Sequence, residues 1–257
     1  MGPRRHRHRR HPVTPGPRVA DADLLIGIDD TDTLASRGTG RLAQRLIAEL
    51  TERGFGRCAG ATRHQLLRDP RIPFTSHNSS ACLAWHRAPD ADVDDIIAVA
   101  GEFLATRSAP GFDPGLAVAR RGPAQALVDF GRAAKTDVLE VAAARALAAE
   151  AGVHLSGHGG TEDGVLGALA GVGLHRSGTD GFFLWMPGIR DLPRTMRYAD
   201  LVATVPIDGV DGTPEPDDVI DLGDWVRPVW RDGRAVLLLE HTPDGWRTAP
   251  RYLVHAH

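Results

Sequence analysis

The sequence predicts an α+β protein, and three observations carry that prediction. An apolar run of strand length, Leu24–Ile28, leads through an acidic turn into an amphipathic helix. Residues 58–119 then alternate short β-rich runs with one helical stretch, a ββαβ-like pattern that fits a small ferredoxin-like layer. Beyond residue 200 the texture changes to Pro, Asp and Gly with brief apolar bursts, which reads as a small C-terminal β appendage spanning 201–257. With 42% hydrophobic and 25% charged residues over 257 positions, the chain has enough apolar material for a substantial core and is not compositionally disordered.

Residues 1–21 form a basic leader rich in His, Arg and Pro without apolar periodicity, and are expected to be disordered. Leu24-Leu25-Ile26-Gly27-Ile28 has the composition of a buried strand. It runs directly into Asp29-Asp30-Thr31-Asp32. Three carboxylates in one turn repel one another unless a cation or strong donors offset their charge. Hard divalent ions such as Mg2+ take oxygen ligands of this kind, usually one or two carboxylates together with phosphates. Thr39 is a good N-cap for the helix whose apolar positions Leu42, Ala43, Leu46, Ile47 and Leu50 recur at three- and four-residue steps, and Gly54 ends it. A strand end and a helix start then face one space.

Ala59–Arg63 and Ser79–Trp85 are predicted as strands, and Asp90–Asp95 as the acidic start of a helix through Leu104. Leu116–Ala119 is predicted as a further strand after turn chemistry at 108–115. Thr136-Asp137 opens an alanine-rich helix to about Glu150. The segment Gly157-His158-Gly159-Gly160-Thr161-Glu162-Asp163-Gly164 follows, with no strand clearly feeding it, and passes into the apolar helix Val165–Val172. Its glycines permit close approach of backbone to a ligand. It matches neither a Walker A motif nor a dinucleotide fingerprint. After 200, the bursts Leu201–Val205, Trp225–Trp230 and Ala235–Leu239 are read as strands, the last two joined by the D-G turn at Asp232-Gly233. Trp225 and Trp230 have the chemistry to stack on a base, although aromatics on a β ribbon more often form its core.

Global properties narrow the function classes. A net charge of −3 gives no overall attraction to polyanions, so any such site must be local. No apolar stretch approaches the ~20 residues that span a bilayer. Cys58 and Cys82 lack zinc-site spacing, and with no secretory signal they point to a reducing, cytoplasmic setting. Lys135 is the only lysine, so arginine supplies nearly all basic charge.

Four blocks in one order carry a family resemblance: Ile26–Asp32 with the following Gly38-Thr39-Gly40, Asp69-Pro70-Arg71-Ile72-Pro73-Phe74, Asp113-Pro114-Gly115-Leu116-Ala117-Val118, and Gly164–Gly173. They resemble the archaeal agmatidine-forming tRNA-isoleucine enzymes, the tRNA-Ile agmatinylcytidine synthetases. The resemblance implies a kinase-like ATP-binding domain split in sequence by a ferredoxin-like insertion. On this chain the halves would be 22–60 and 132–200, and the insertion 61–131. It also implies ATP and Mg2+ as cofactors, phosphoryl activation of a cytidine carbonyl, displacement by an amine, and RNA as acceptor. The family's later OB-fold and zinc ribbon are expected to be lacking, since no cysteine follows Cys82 and about 57 residues follow position 200. The family's paired threonines are represented by Thr39 followed by Gly40.

The expected site therefore has Asp29, Asp30, Asp32 and Thr39 as catalytic residues. Asp29 and Asp32 would hold the metal, with Asp30 a ligand or base. Gly159, Gly160, Gly164, Val165, Leu166 and Gly167 would surround the nucleotide phosphates, and Arg41 and Arg63 are further phosphate partners. An ATP-dependent kinase- or ligase-like transferase is the leading reading. A nucleotide-binding regulatory module without catalysis is the alternative, and a phosphatase of D-x-D-x-[TV] type is disfavoured because Leu34 stands where Thr or Val is needed. The sequence leaves the acceptor, the amine and the oligomeric state open.

Overall fold

In the computed structural model, residues 18–29, 39–72, 78–108, 112–122 and 124–257 are described. The chain begins β1 (Leu24–Asp29), α1 (Thr39–Glu52), β2 (Gly56–Gln65), β3 (Ser79–Arg87), α2 (Val93–Arg107) and β4 (Gly115–Arg120). These four strands are antiparallel neighbours in the order β4-β1-β3-β2. Next come α3 (Gln125–Ala133), α4 (Val141–Glu150), β5 (His154–Gly157), α5 (Gly164–Ser177) and β6 (Phe182–Trp185), with β5 flanking β4 and β6 flanking β2. The C-terminal part holds β7 (Thr195–Arg197), α6 (Tyr198–Thr204), β8 (Gly209–Asp211), β9 (Val219–Asp221), β10 (Val229–Arg231), β11 (Arg234–Thr242), β12 (Gly245–Thr248) and α7 (Arg251–Val254). Through β6–β10 pairing it continues the same large mixed sheet.

The period-two side-chain alternation of β1 divides two cores. Leu24, Ile26 and Ile28 pack with Leu46 and Leu50 of α1 and Ile96 and Leu104 of α2 on one face. Leu25 joins Ala168, Leu169 and Val172 of α5 on the other. Gly27 faces α5 so closely that a β-carbon there would lie 2.2 Å from the Ala168 carbonyl oxygen. The helix therefore rests directly on strand backbone. Gly171 leaves similar room for the Ser80 side chain of β3, and Gly173 for the Leu127 carbonyl of α3.

Several expectations are met and others corrected. α2 starts as read, with the Asp92 carboxylate accepting from the Asp94 N–H at 3.0 Å. The β10–β11 hairpin turns on Asp232 and Gly233, whose φ angles of 53° and 67° suit a type I′ turn. Val19, expected in the leader, is buried within a 3-10 turn, Val19–Asp21; residues 1–17 lie outside the described residues. A short strand, β5, does feed the glycine-rich segment, paired to β4 through Leu116↔Ser156. The alanine-rich helix begins at Val141 rather than Thr136, preceded by the unanticipated α3. The burst from Leu201 is helical rather than extended as far as Thr204, because α6 buries Leu201 while Val202 faces out.

A buried polar chain ties the two parts together. Lys135 pairs with Asp180, and Asp180 accepts from His64 Nδ1–H at 2.9 Å. The Thr62 hydroxyl lies 2.8 Å from both His64 Nε2 and His175 Nδ1, so it donates to the first and accepts from the second. Trp230 of β10 stacks on His175 at 5.0 Å, and its Nε1–H donates to the His175 carbonyl at 2.7 Å. Burial is the main force lowering the pKa of both imidazoles, pushing His175 from 6.5 to about 3.

Two outcomes are expected. Leu83→Ala, at a fully buried position of the central strand β3, lowers unfolding free energy by about 2–5 kcal/mol in urea titrations. A histidine whose folded pKa is depressed contributes stability above its unfolded pKa and loses it as pH falls. His175 should thus withdraw about 1.4 kcal/mol per pH unit below pH 6.5. Urea unfolding of His175→Gln from pH 7.5 to 4.5 should be shallower in pH by that amount.

Candidate functional site

β1 ends at Asp29, whose partner on β4 is Gly115. Asp29 is only 8% exposed, and its carboxylate lies on the α5 side of the sheet. A β-carbon built on Gly167, the fourth residue of α5, would sit 1.5 Å from its Oδ2. Only glycine leaves room for the acid at this point. The positive end of the α5 dipole favours a carboxylate at its first turn.

The glycine-rich turn packs against the same strand ends. His158 N–H donates to the Pro114 carbonyl at 2.7 Å, and Gly164 N–H to the Asp113 carbonyl at 3.1 Å. A β-carbon on Gly115 would lie 2.0 Å from the Gly164 carbonyl oxygen, and one on Gly159 2.3 Å from that of Phe112. The Thr161 hydroxyl donates to the Asp113 carboxylate. Glu162 adopts φ 62°, a left-handed value that costs a non-glycine residue energy. It is pinned by an ion pair with Arg145 and by contact with Gly157.

Three segments therefore converge on one sheet edge: the acidic end of β1, the Asp113-Pro114-Gly115 entry to β4, and the turn opening α5. Of the residues expected from sequence, Asp29, Gly159, Gly160, Gly164, Val165, Leu166 and Gly167 lie in this convergence. The N–H groups of Val165 and Leu166 bond the carbonyls of Glu162 and Asp163 at 3.1 Å, closing the first turn of the helix. Thr39 supplies the first residue of α1. Asp30 and Asp32 lie outside the described residues. Among the described residues no group of three or more His, Cys, Asp or Glu is placed to hold a metal ion. Asp29 alone fits the single-carboxylate anchoring that Mg2+ accepts when phosphates complete its shell.

Two features escaped the sequence reading. Asp113 buttresses the glycine turn, yet D-P-G before a strand reads as ordinary turn chemistry. His154, Ser156 and His158 form a hydrogen-bonded row along β5, with both histidine nitrogens 2.9 Å from the Ser156 hydroxyl. The row lines a cavity of about 340 Å³ beside α2, and alternate positions on a strand were its only signal.

No family model matches the chain. It is 32% identical over 157 residues to the 2-agmatinylcytidine synthetase TiaS, which acts on an isoleucine tRNA, of Pyrobaculum neutrophilum; the match covers 59% of this chain and 35% of the relative. The crystal structure of TiaS with its tRNA, AMPCPP and agmatine superposes with a TM-score of 0.50 and 25% identity, over 59% of this chain and 36% of that one. TiaS with tRNA and ATP gives 0.51 and 26%, over 59% and 36%. Apo TiaS gives 0.50 and 25%, over 58% and 35%. The chain is thus homologous to TiaS over about 59% of its own length, shares its mixed α+β fold there, and spans about a third of the TiaS chain.

Gly167→Ala places a methyl group where the Asp29 carboxylate lies. Overpacking of this kind costs about 1–3 kcal/mol, to be read from urea unfolding, whereas isosteric Asp29→Asn should change stability less.

Proposed function

We propose that this chain is an ATP- and Mg2+-dependent transferase that activates an acceptor oxygen by phosphoryl transfer, acting in the modification of RNA or a small molecule. The observation carrying this reading is the seating of the Asp29 carboxylate against the first turn of α5, beside a glycine-rich turn, in a chain homologous to TiaS. Kinase-like and ferredoxin-like parts are read together in this architecture. The βαββαβ order from β1 to β4, with α1 and α2 on one face, supports a ferredoxin-like reading in which that part would begin at β1.

Phosphoryl transfer needs chiefly positioning and neutralisation of charge, and little covalent participation by the protein. Asp29, with Asp30 and Asp32, would hold Mg2+, which when bound neutralises phosphate charge. The glycine turn from Gly159 to Gly164 would let backbone approach the phosphates without side chains intervening. Thr39, the first residue of α1, would serve as the family's remaining catalytic threonine. The acceptor oxygen attacks the γ-phosphorus as the bond to ADP breaks. An amine then attacks the activated carbon, loses a proton, and releases phosphate.

Isothermal calorimetry of ATP with and without Mg2+ tests the reading. Wild type should show Mg2+-dependent binding, and Asp29→Ala should weaken it at least tenfold. Equal, negligible heats for both proteins would remove the proposal.

A further inference from the structure

A second cavity, of about 700 Å³, opens between α1 and the C-terminal β unit, and its chemistry is one-sided. Five arginines line it, at 41, 45, 63, 190 and 227, and no aspartate or glutamate is among its described lining residues. Its floor is aromatic: Phe182 lies 6.0 Å from Trp225 and stacks on His255 at 5.0 Å. These rings hold guanidinium groups in place. Arg227 and Arg251 lie 5.5 and 5.1 Å from the Trp225 centroid, and Arg63 lies 5.8 Å from that of Phe182. Arg190 and Arg227 also donate to the carbonyls of Leu184 and Val226, at 3.2 and 2.7 Å, which orients them without neutralising charge.

Like charges gathered in this way oppose one another. Burial together with Arg190 and Arg251 pushes the Arg227 pKa down to about 10, and burial and Arg68 lower that of Arg63. A polyanion relieves this repulsion. Arg41 and Arg45 stand one helical turn apart, about 6 Å along the α1 axis, so the α1 bank alone offers two cations in succession. Arg63 pairs across β3 with Ala81, which also faces Ile28. Two strand spacings, about 10 Å, therefore separate Arg63 from Ile28 on the α1 face of the sheet, beside the strand end where Asp29 turns to the α5 face.

We propose that this groove is the track for a single strand of RNA, gripped through its phosphates, that leads the acceptor to the Asp29 edge. The choice of RNA rests on the function proposed above; the need for a polyanion rests on the groove alone. A positively charged groove that tracks the backbone, with aromatic rings on which bases can stack, is how single-strand sites gain affinity without reading sequence.

Fluorescence anisotropy with a labelled ten-nucleotide RNA of mixed sequence, across a salt series, tests the proposal. Arg45 and Arg190 are exposed and outside the ATP-binding residues named above. The double variant Arg45→Gln/Arg190→Gln should bind RNA at least tenfold more weakly, with a salt slope shallower by about 0.7 for each phosphate no longer neutralised. Its ATP calorimetry should match wild type. Arg197→Gln, which breaks an ion pair with Asp200 and lies outside the groove's lining, should bind RNA as wild type does. Unchanged RNA affinity in the double variant, or equal affinity for a duplex of the same length, would overturn the proposal. Failure of the ATP reading shows separately, as absent ATP heat in wild type.

Discussion

Helix α5 lies on bare backbone. Gly27 meets the Ala168 carbonyl, Gly167 meets the Asp29 carboxylate, and Gly115 meets Gly164, each at distances that no side chain permits. Interiors are close-packed, so a helix brought this near leaves its neighbours little room to shift. The first turn of α5 is thereby placed at the end of β1, and the glycine turn preceding it has no freedom to lie elsewhere. Every chemical property ascribed to the Asp29 edge depends on this absence of intervening side chains. Val165 and Val172, on the same helix, supply the apolar burial that holds it down.

Much of this architecture was legible in the sequence, and the reasons are local. The strand run before Asp29, the periodicity of α1, the acidic cap of α2 and the D-G hairpin each express a short-range rule. Elements that escaped have weak local signals. α3 carries an interior Gly131 that exists for contact with Ala170 and Leu174, and its N-cap, Ala124, makes no side-chain cap. β5 is four residues long and takes its conformation from β4. The burst from Leu201 is β-rich in composition, but tertiary burial of one face made it helical.

The candidate site divides along the same line. Asp29 was visible as an acid at a strand end, and the glycine turn as a run of small residues. Asp113 was visible as turn chemistry and as part of a block shared with the resembled family, without a role of its own. The arginine-lined groove was least legible, because its residues come from α1, β2 and the C-terminal unit, and no window of sequence contains them together. Arg41 and Arg63, singled out as phosphate partners, both line it. Trp230, weighed as a base platform, is buried against His175, while Trp225 is the half-exposed ring.

The continuity of the sheet has a mechanical consequence. β6 is hydrogen-bonded to β2 on one side and β10 on the other, so one backbone ladder runs beneath both banks of the cationic groove. Banks fastened to a common floor do not part like jaws. A polymer would have to be fed in end first or as an unpaired stretch laid lengthwise, which favours loops and frayed termini over the middle of a stem. Selection among nucleic acids would then come from topology, before any base is inspected.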